Sequence, residues 1–148
     1  LAMREREGQR MKEDVSSHAE WILQLVDQIE ARSPQTVVEY QQKLQARLEE
    51  MLADVKIDEQ RILTEAAIFA DKVAVAEETV RLRSHFDQMH QMLESGEPVG
   101  RKLDFLVQEM NREANTIGSK AVDSQIAYLV VDIKAEIEKI REQIQNIE

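Results

Sequence analysis

The sequence predicts an all-α protein: a long-helix bundle of about five helices with a protruding helical hairpin, expected to be oligomeric. Three observations predict it. The 148 residues include only 4 Gly and 2 Pro, too few for the turns that a β-sandwich or barrel needs at about every 8–12 positions. Aromatic residues are only 4%, poor material for strands. Between Gly8, Pro34, Gly96, Pro98, Gly100 and Gly118, apolar residues recur at three- and four-residue spacing, the period of an amphipathic helix. An apolar content of 43% is too high for intrinsic disorder, and the length suits one domain or two small ones.

The first helix is expected over residues 3–31, with the stripe Met11, Val15, Trp21 or Ile22, Leu25 and Ile29 and with Trp21 as a core anchor. Ser33-Pro34 is expected to end it: Ser33 suits an N-cap and Pro34 a first helical position. The second helix then covers 34–54, with Val37, Tyr40 or Gln41, Leu44, Leu48, Met51 and Leu52 apolar. A break follows at 55–58, where Asp58 is placed to cap the next helix and Glu59 favours its dipole.

Nothing between Asp58 and Glu94 obviously breaks the third helix. Thirty-seven residues at 1.5 Å each give roughly 55 Å, longer than the about 40 Å expected across a compact domain of this size. It is expected to project, bend or pack against another chain. Its seam Ile62, Ala66, Phe69, Val73, Ala76, Val80 resembles a heptad. The segment 95–100 is the strongest punctuation in the chain. A fourth helix follows over 101–117, then a kink or short loop near Gly118. A last helix covers 123–147 with Ile126, Leu129 or Val130, Ile133, Ile137, Ile140 and Ile144 inward.

Composition removes several chemistries. Without Cys there is no disulfide, thiolate zinc site, iron–sulfur cluster or Cys nucleophile. No apolar run approaches a membrane span, and the first residues carry charge without an apolar signal core, so a cytoplasmic location is expected. The chain opens at Leu1 with no initiator Met and reads as part of something longer. A net charge of −10 argues against a broad nucleic-acid footprint. Phosphate-loop, nucleophile-elbow and zinc-protease motifs are absent. The Glu-x-x-His pairs of di-iron bundles are missing too, Asp87 with His90 being the nearest spacing.

Two polar faces carry what chemistry there is. On the fourth helix Leu103, Leu106, Val107, Met110, Ala114 and Ile117 form the core arc, while Asp104, Gln108, Asn111, Arg112 and Asn115 lie opposite. Glu109 and Glu113 stack one turn apart at the edge. Two Asn within five positions cost helix propensity, which an ordinary solvated face avoids. On the third helix Asp71, Glu78, Arg81 and His85 are expected to share a face, with Glu65, Lys72 and Glu77 nearby. If the two helices form a hairpin, their carboxylates and His85 could hold Mg²⁺ or Mn²⁺, which favour oxygen ligands and tolerate imidazole. Solvated i,i+4 ion pairs account for Glu78 and Arg81 equally well. His18 and His90 read as incidental surface or half-buried groups. The basic segment Arg4, Arg6, Arg10 and Lys12 reads as a solvated helix face.

The stretch Gly96-Glu97-Pro98-Val99-Gly100-Arg101-Lys102-Leu103-Asp104-Phe105, running on through Gln108-Glu109-Met110-Asn111-Arg112-Glu113-Ala114-Asn115 to Lys120, resembles the signature of the YicC/YloC family. So do the ending Ile140–Glu148, the opening Leu1–Gly8 and the segment Asp71–Glu78, and the resemblance spans essentially all 148 residues. Val80 departs from it, standing where an acidic residue is expected. The resemblance implies the C-terminal α-helical domain, residues 1–148, of a protein whose N-terminal domain is absent here. It further implies a bacterial, cytoplasmic, stress-induced, metal-dependent endoribonuclease with RNA as substrate and a homo-oligomeric, hexameric assembly. Onto that expectation the residue types place Asp71, Glu78, Asp104, Glu109 and Glu113 as Mg²⁺ or Mn²⁺ ligands. His85, Glu109 and Glu113 are the catalytic candidates. Arg81, Arg101, Gln108, Asn111, Arg112, Asn115 and Lys120 are the RNA contacts. The alternative is a helical oligomerisation and RNA-guiding module with no catalytic centre of its own. A third reading is a purely structural scaffold.

Overall fold

A computed structural model describes residues 2–53, 55–96 and 100–146, with side chains from residue 5 onward. The 97–99 part of the expected loop, Asp54 and Ile147 lie outside the described residues. The described residues form α-helices joined by short connections: α1 (Ala2–Met51), α2 (Glu59–Val73), α3 (Ala76–Glu94), α4 (Gly100–Lys120) and α5 (Ser124–Gln145).

The expected break at Ser33-Pro34 does not occur. Helix α1 runs for 50 residues with Pro34 inside it, about 75 Å at the standard rise. A proline inside a helix costs about 3 kcal/mol, through the lost N–H and the ring's clash with the preceding turn. Contacts across the proline offset that cost. Arg32 donates to both carboxylate oxygens of Glu39, each at 2.8 Å, two turns along the same helix. Thr36 Oγ1 donates to the Ser33 carbonyl at 2.7 Å. The tertiary surroundings on both sides also want helix. Val15, Ile22, Leu25, Val26 and Ile29 are buried before the proline, and Tyr40 beyond it stacks on Phe69 of α2, ring centroids 4.0 Å apart.

The expected 58–94 helix is instead two. Asp58 caps α2 as expected, accepting from the backbone N–H of Gln60 at 3.1 Å and of Arg61 at 3.3 Å. The break falls at Ala74-Val75, where Ala74 is extended (φ −64°, ψ 123°). The apolar phase explains it. Ile62, Ala66 and Val73 are buried on one stripe; after the break the buried stripe is Val75, Thr79, Leu82, Phe86, Met89 and Leu93. A continuous helix would have carried the first stripe into Ala76 and Val80, and Val80 is 64% exposed. Two phases two residues apart cannot both face inward on one helix, so the chain breaks between them.

The core lies among the N-terminal part of α1 and helices α3, α4 and α5. Its largest fully buried side chains include Ile22, Ile29, Leu82, Met89, Met110, Ile117, Ile133 and Ile140. The protruding hairpin is the far end of α1 with α2: the buried residues of α2 lie outside the main core cluster. Trp21 corrects another expectation. It is 45% exposed, and its neighbour Ile22 is the core residue. Helix α4 continues through Gly118 to Lys120 rather than ending at 117. A Cβ on Gly118 would stand 3.2 Å from Val130 Cγ1, so glycine there lets α4 and α5 approach closely. Among the described residues no helix is long and apolar enough to cross a membrane.

Asp123 has two tasks at the start of α5. It accepts from the Ile126 backbone N–H at 3.1 Å, and from Arg32 Nε and Nη2 at 3.1 and 2.9 Å. The guanidinium holds its carboxyl below the usual carboxylate range. Asp123→Ala is expected to cost at least about 1 kcal/mol from the lost cap alone. Urea titration of the variant against wild type reads this, and equal midpoints would contradict it.

Candidate functional site

Helices α3 and α4 form an antiparallel pair, and a chain of charges lies between them. Glu78 enters the interface because the helix phase that buries Leu82 and Phe86 carries it inward as well; its side chain is 3% exposed. Lys120, at the far end of α4, reaches back to Glu78 Oε1 at 2.7 Å and to the Ala74 carbonyl at 3.2 Å, so it also seals the α2–α3 break. Arg81 sits one turn on. Its Nε donates to Glu113 Oε1 at 2.8 Å, and its Nη2 lies 3.6 Å from Glu78. Burial pushes the Glu78 carboxyl up, but the Lys120 hydrogen bond and the charges of Lys120 and Arg81 outweigh it and leave it below its ordinary value. Glu113 raises the Arg81 guanidinium in turn.

One turn beyond Arg81 on α3 lies His85, and one turn before Glu113 on α4 lies Glu109. The antiparallel register therefore sets these two at one level. Both His85 ring nitrogens are buried and find no hydrogen-bond partner among the described residues, as does Glu78 Oε2. Buried polar atoms are nearly always paired, so His85 is the least satisfied group in the pair of helices. Glu109 is half-buried, with its carboxylate 3.9 Å from Arg112.

The outer side of α4 is different in kind. Gln108, Asn111, Arg112, Asn115, Thr116 and Ser119 line an open polar depression. They lie on two adjacent rows of three- and four-residue steps, 108-111-115-119 and 108-112-116-119, so one helix face carries all six. No carboxylate lines it, although the chain has 29 acidic residues against 19 basic ones. Thr116 and Ser119 were not among the sequence candidates, yet the 108, 111, 112, 115 spacing already points to 116 and 119.

The residues expected to hold a metal are not brought together. Asp71 is on α2, across the Ala74-Val75 break from Glu78, and is exposed. Asp104 is the neighbour of Arg141 on α5. Glu78 and Glu113 are occupied by Lys120 and Arg81. Among the described residues no three His, Asp or Glu side chains converge as metal ligands. A hard divalent ion wants several oxygen donors in one shell, so the five carboxylates do not fit one Mg²⁺ or Mn²⁺ centre within a single chain. Of the expected RNA contacts, Lys120 is committed to Glu78 and Arg81 to Glu113. Gln108, Asn111, Arg112 and Asn115 stand together on the outer face, and Arg101 is exposed in the first turn of α4.

This arrangement sits within residues 29–148, which match the family described as endoribonuclease YicC-like, C-terminal. The chain belongs to that family. Its YicC-like relatives include a protein named probable endoribonuclease YicC from Clostridioides difficile (strain 630), 48% identical over 147 residues, covering 99% of this chain and 50% of that protein. A second, also named probable endoribonuclease YicC, from Haemophilus influenzae (strain ATCC 51907 / DSM 11121 / KW20 / Rd), is 37% identical over 148 residues, covering 100% of this chain and 51% of that protein. The chain thus spans about half the length of the curated relatives it matches.

The buried carboxylates set an acid limit. Glu78, Asp123 and Glu136 all sit below their ordinary values, 4.5 for Glu and 3.8 for Asp. For Glu136, burial opposes the shift and bonds from Lys139 and His18 drive it. In each case the unfolded chain binds the proton more readily than the folded one, so stability rises with pH through this range. Stability is expected to be level above about pH 5 and to fall progressively as pH drops below the unfolded values. Urea midpoints between pH 7 and pH 3 check this, and a midpoint that does not move would contradict it.

Proposed function

We propose that the full-length protein is an endoribonuclease hydrolysing RNA phosphodiester bonds, and that this chain is the helical half that holds the RNA strand along the outer face of α4. One observation carries the reading: an acid-free polar depression in an acid-rich chain. A phosphate chain avoids carboxylates and accepts hydrogen bonds from Arg, Asn and Gln. The relatives' names supply the reaction class.

Glu109, half-buried near the edge of that face, is the base assigned to take a proton from the attacking water. His85, at the same level on α3, is the acid assigned to protonate the leaving oxygen once the bound strand uncovers its ring. Glu113, fixed by Arg81, positions this pair. Dependence on Mg²⁺ or Mn²⁺ is proposed for the full-length protein, with the ligand set completed beyond a single copy of these residues, and no step is assigned to the ion.

Cleavage of a fluorescent single-stranded RNA by the full-length protein, with Mn²⁺ and with EDTA, tests this. Glu109→Gln and His85→Ala are each expected to slow cleavage by about 100-fold or more, the usual worth of a positioned acid or base. Full rates in either variant would overturn the assignment, and full rates in EDTA would remove the ion. A second reading is favoured by the engagement of Glu78 and Glu113 in ion pairs and by the covered His85 nitrogens. In it this half is an oligomerising and RNA-guiding module, and the reacting groups lie in the other half. Full cleavage by both variants, with cleavage lost in Arg112→Glu, would establish that reading instead.

A further inference from the structure

The outer face of α4 carries one Arg and three side-chain amides, and the amides are the informative part. Gln108 and Asn115 are exposed and Asn111 is half-buried. None of the three makes a hydrogen bond among the described residues, so each still offers two N–H donors and an acceptor oxygen. By contrast Thr116 and Ser119 spend their hydroxyl protons on the Arg112 and Thr116 carbonyls, at 3.0 and 2.9 Å. Asn is a poor helix former, and a solvated face would hold Lys, Glu or Gln instead. A face meant only for phosphates would be rich in Lys and Arg. This one has a single cation, Arg112.

We propose that this depression reads bases: it binds unpaired, adenine-containing RNA through the Gln108, Asn111 and Asn115 amides, with Arg112 holding one phosphate. An Asn or Gln amide matches the donor and acceptor on the Hoogsteen edge of adenine in a two-bond pair. In duplex RNA that edge lies in a groove too deep and narrow for side chains, whereas an unpaired base presents it. The three amides span residues 108–115, about 10 Å along the helix axis, room for a few adjacent nucleotides and not for a long tract. The inference rests on the reading that this face contacts RNA and adds what that face selects.

The distinguishing quantity is the balance of base preference against salt dependence. Each phosphate contact on a single strand contributes a slope of about −0.7 to log affinity against log salt. A depression with one Arg predicts a slope contribution near −0.7. A phosphate-reading face would show several times that.

The experiment is fluorescence anisotropy with the full-length protein and labelled twelve-nucleotide probes: oligo-A, oligo-U and a duplex of mixed sequence, at 50 and 200 mM NaCl. Oligo-A is expected to bind about tenfold or more tighter than oligo-U or the duplex. The double variant Asn111→Ala/Asn115→Ala is expected to bring oligo-A down to the oligo-U level with its salt slope unchanged. Alanine is the better helix former, so the variant keeps the fold, which its thermal midpoint verifies. Equal affinity for oligo-A and oligo-U, or an unaffected double variant, overturns base reading while leaving RNA contact intact. Failure of wild type to bind any of the probes overturns both this inference and the RNA reading beneath it. Binding to oligo-A that survives the double variant but is lost in Arg112→Glu assigns the face to phosphate alone and overturns base reading.

Discussion

Lys120→Met is expected to destabilise the protein by about 2–3 kcal/mol, on the order of 5–10 °C in midpoint for a chain of this length. Lys120 is the close cationic partner of Glu78, at 2.7 Å, and the Glu78 side chain is 3% exposed. Without Lys120 the nearest cation to that carboxylate is Arg81 at 3.6 Å, and its second oxygen has no partner among the described residues. Breaking a buried pair by removing one partner usually costs about 3–5 kcal/mol. The remaining Arg81 charge places the estimate at or just below the low end. The α2–α3 junction is affected too, because the Lys120 bond to the Ala74 carbonyl goes with it. Removing both charges, Lys120→Met with Glu78→Leu, is expected to recover most of the loss, since no uncompensated buried charge remains. Urea titration of the single and double variants decides this. A single variant as stable as wild type would show that the pair contributes nothing.

Arg112→Glu is expected to weaken RNA binding about thirtyfold while leaving stability unchanged. The Arg112 side chain is 76% exposed, and its approach to Glu109 is a loose 3.9 Å, so the fold asks little of it. Reversal removes one phosphate contact and places a carboxylate in a depression that has none. Two opposed changes of about 1 kcal/mol each, at water-like screening and 4 Å, make the factor. Anisotropy with a single-stranded probe reads the affinity, and the thermal midpoint guards against a folding artefact. An unchanged affinity would remove α4's outer face from the RNA path.

Much of this was legible in the residues. The α4 core arc, Leu103 to Ile117, and the α5 isoleucine stripe are buried as the 3.6-residue period requires. The polar residues opposite the α4 arc form the depression. What was not legible depended on contacts beyond the neighbouring turn and on a shift in apolar phase. Pro34 looks like a stop because its local cost is visible, whereas the Arg32–Glu39 bridge and the Tyr40–Phe69 stack that offset it are not. The Ala74-Val75 break contains no Gly or Pro. Its only signal is the two-residue jump between the Val73 and Val75 stripes, and a heptad run through Ala76 and Val80 conceals it.

The candidate site divides along the same line. The residues that stand on one helix face, 108 to 115, were found from spacing alone. Asp71 and Glu78 share a face only if 58–94 is one helix; the break at Ala74-Val75 puts them on α2 and α3. The pairing of Lys120 with Glu78 joins residues 42 positions apart. Nothing in the local sequence of either marks the other as its partner.

The position of RNA on the protein tests the α4 face most directly. A short single-stranded RNA with photoreactive bases, crosslinked to the full-length protein and mapped by peptide mass, reports this without relying on activity. Adducts are expected within residues 108–119. Adducts confined to other segments, with none on α4, would contradict it.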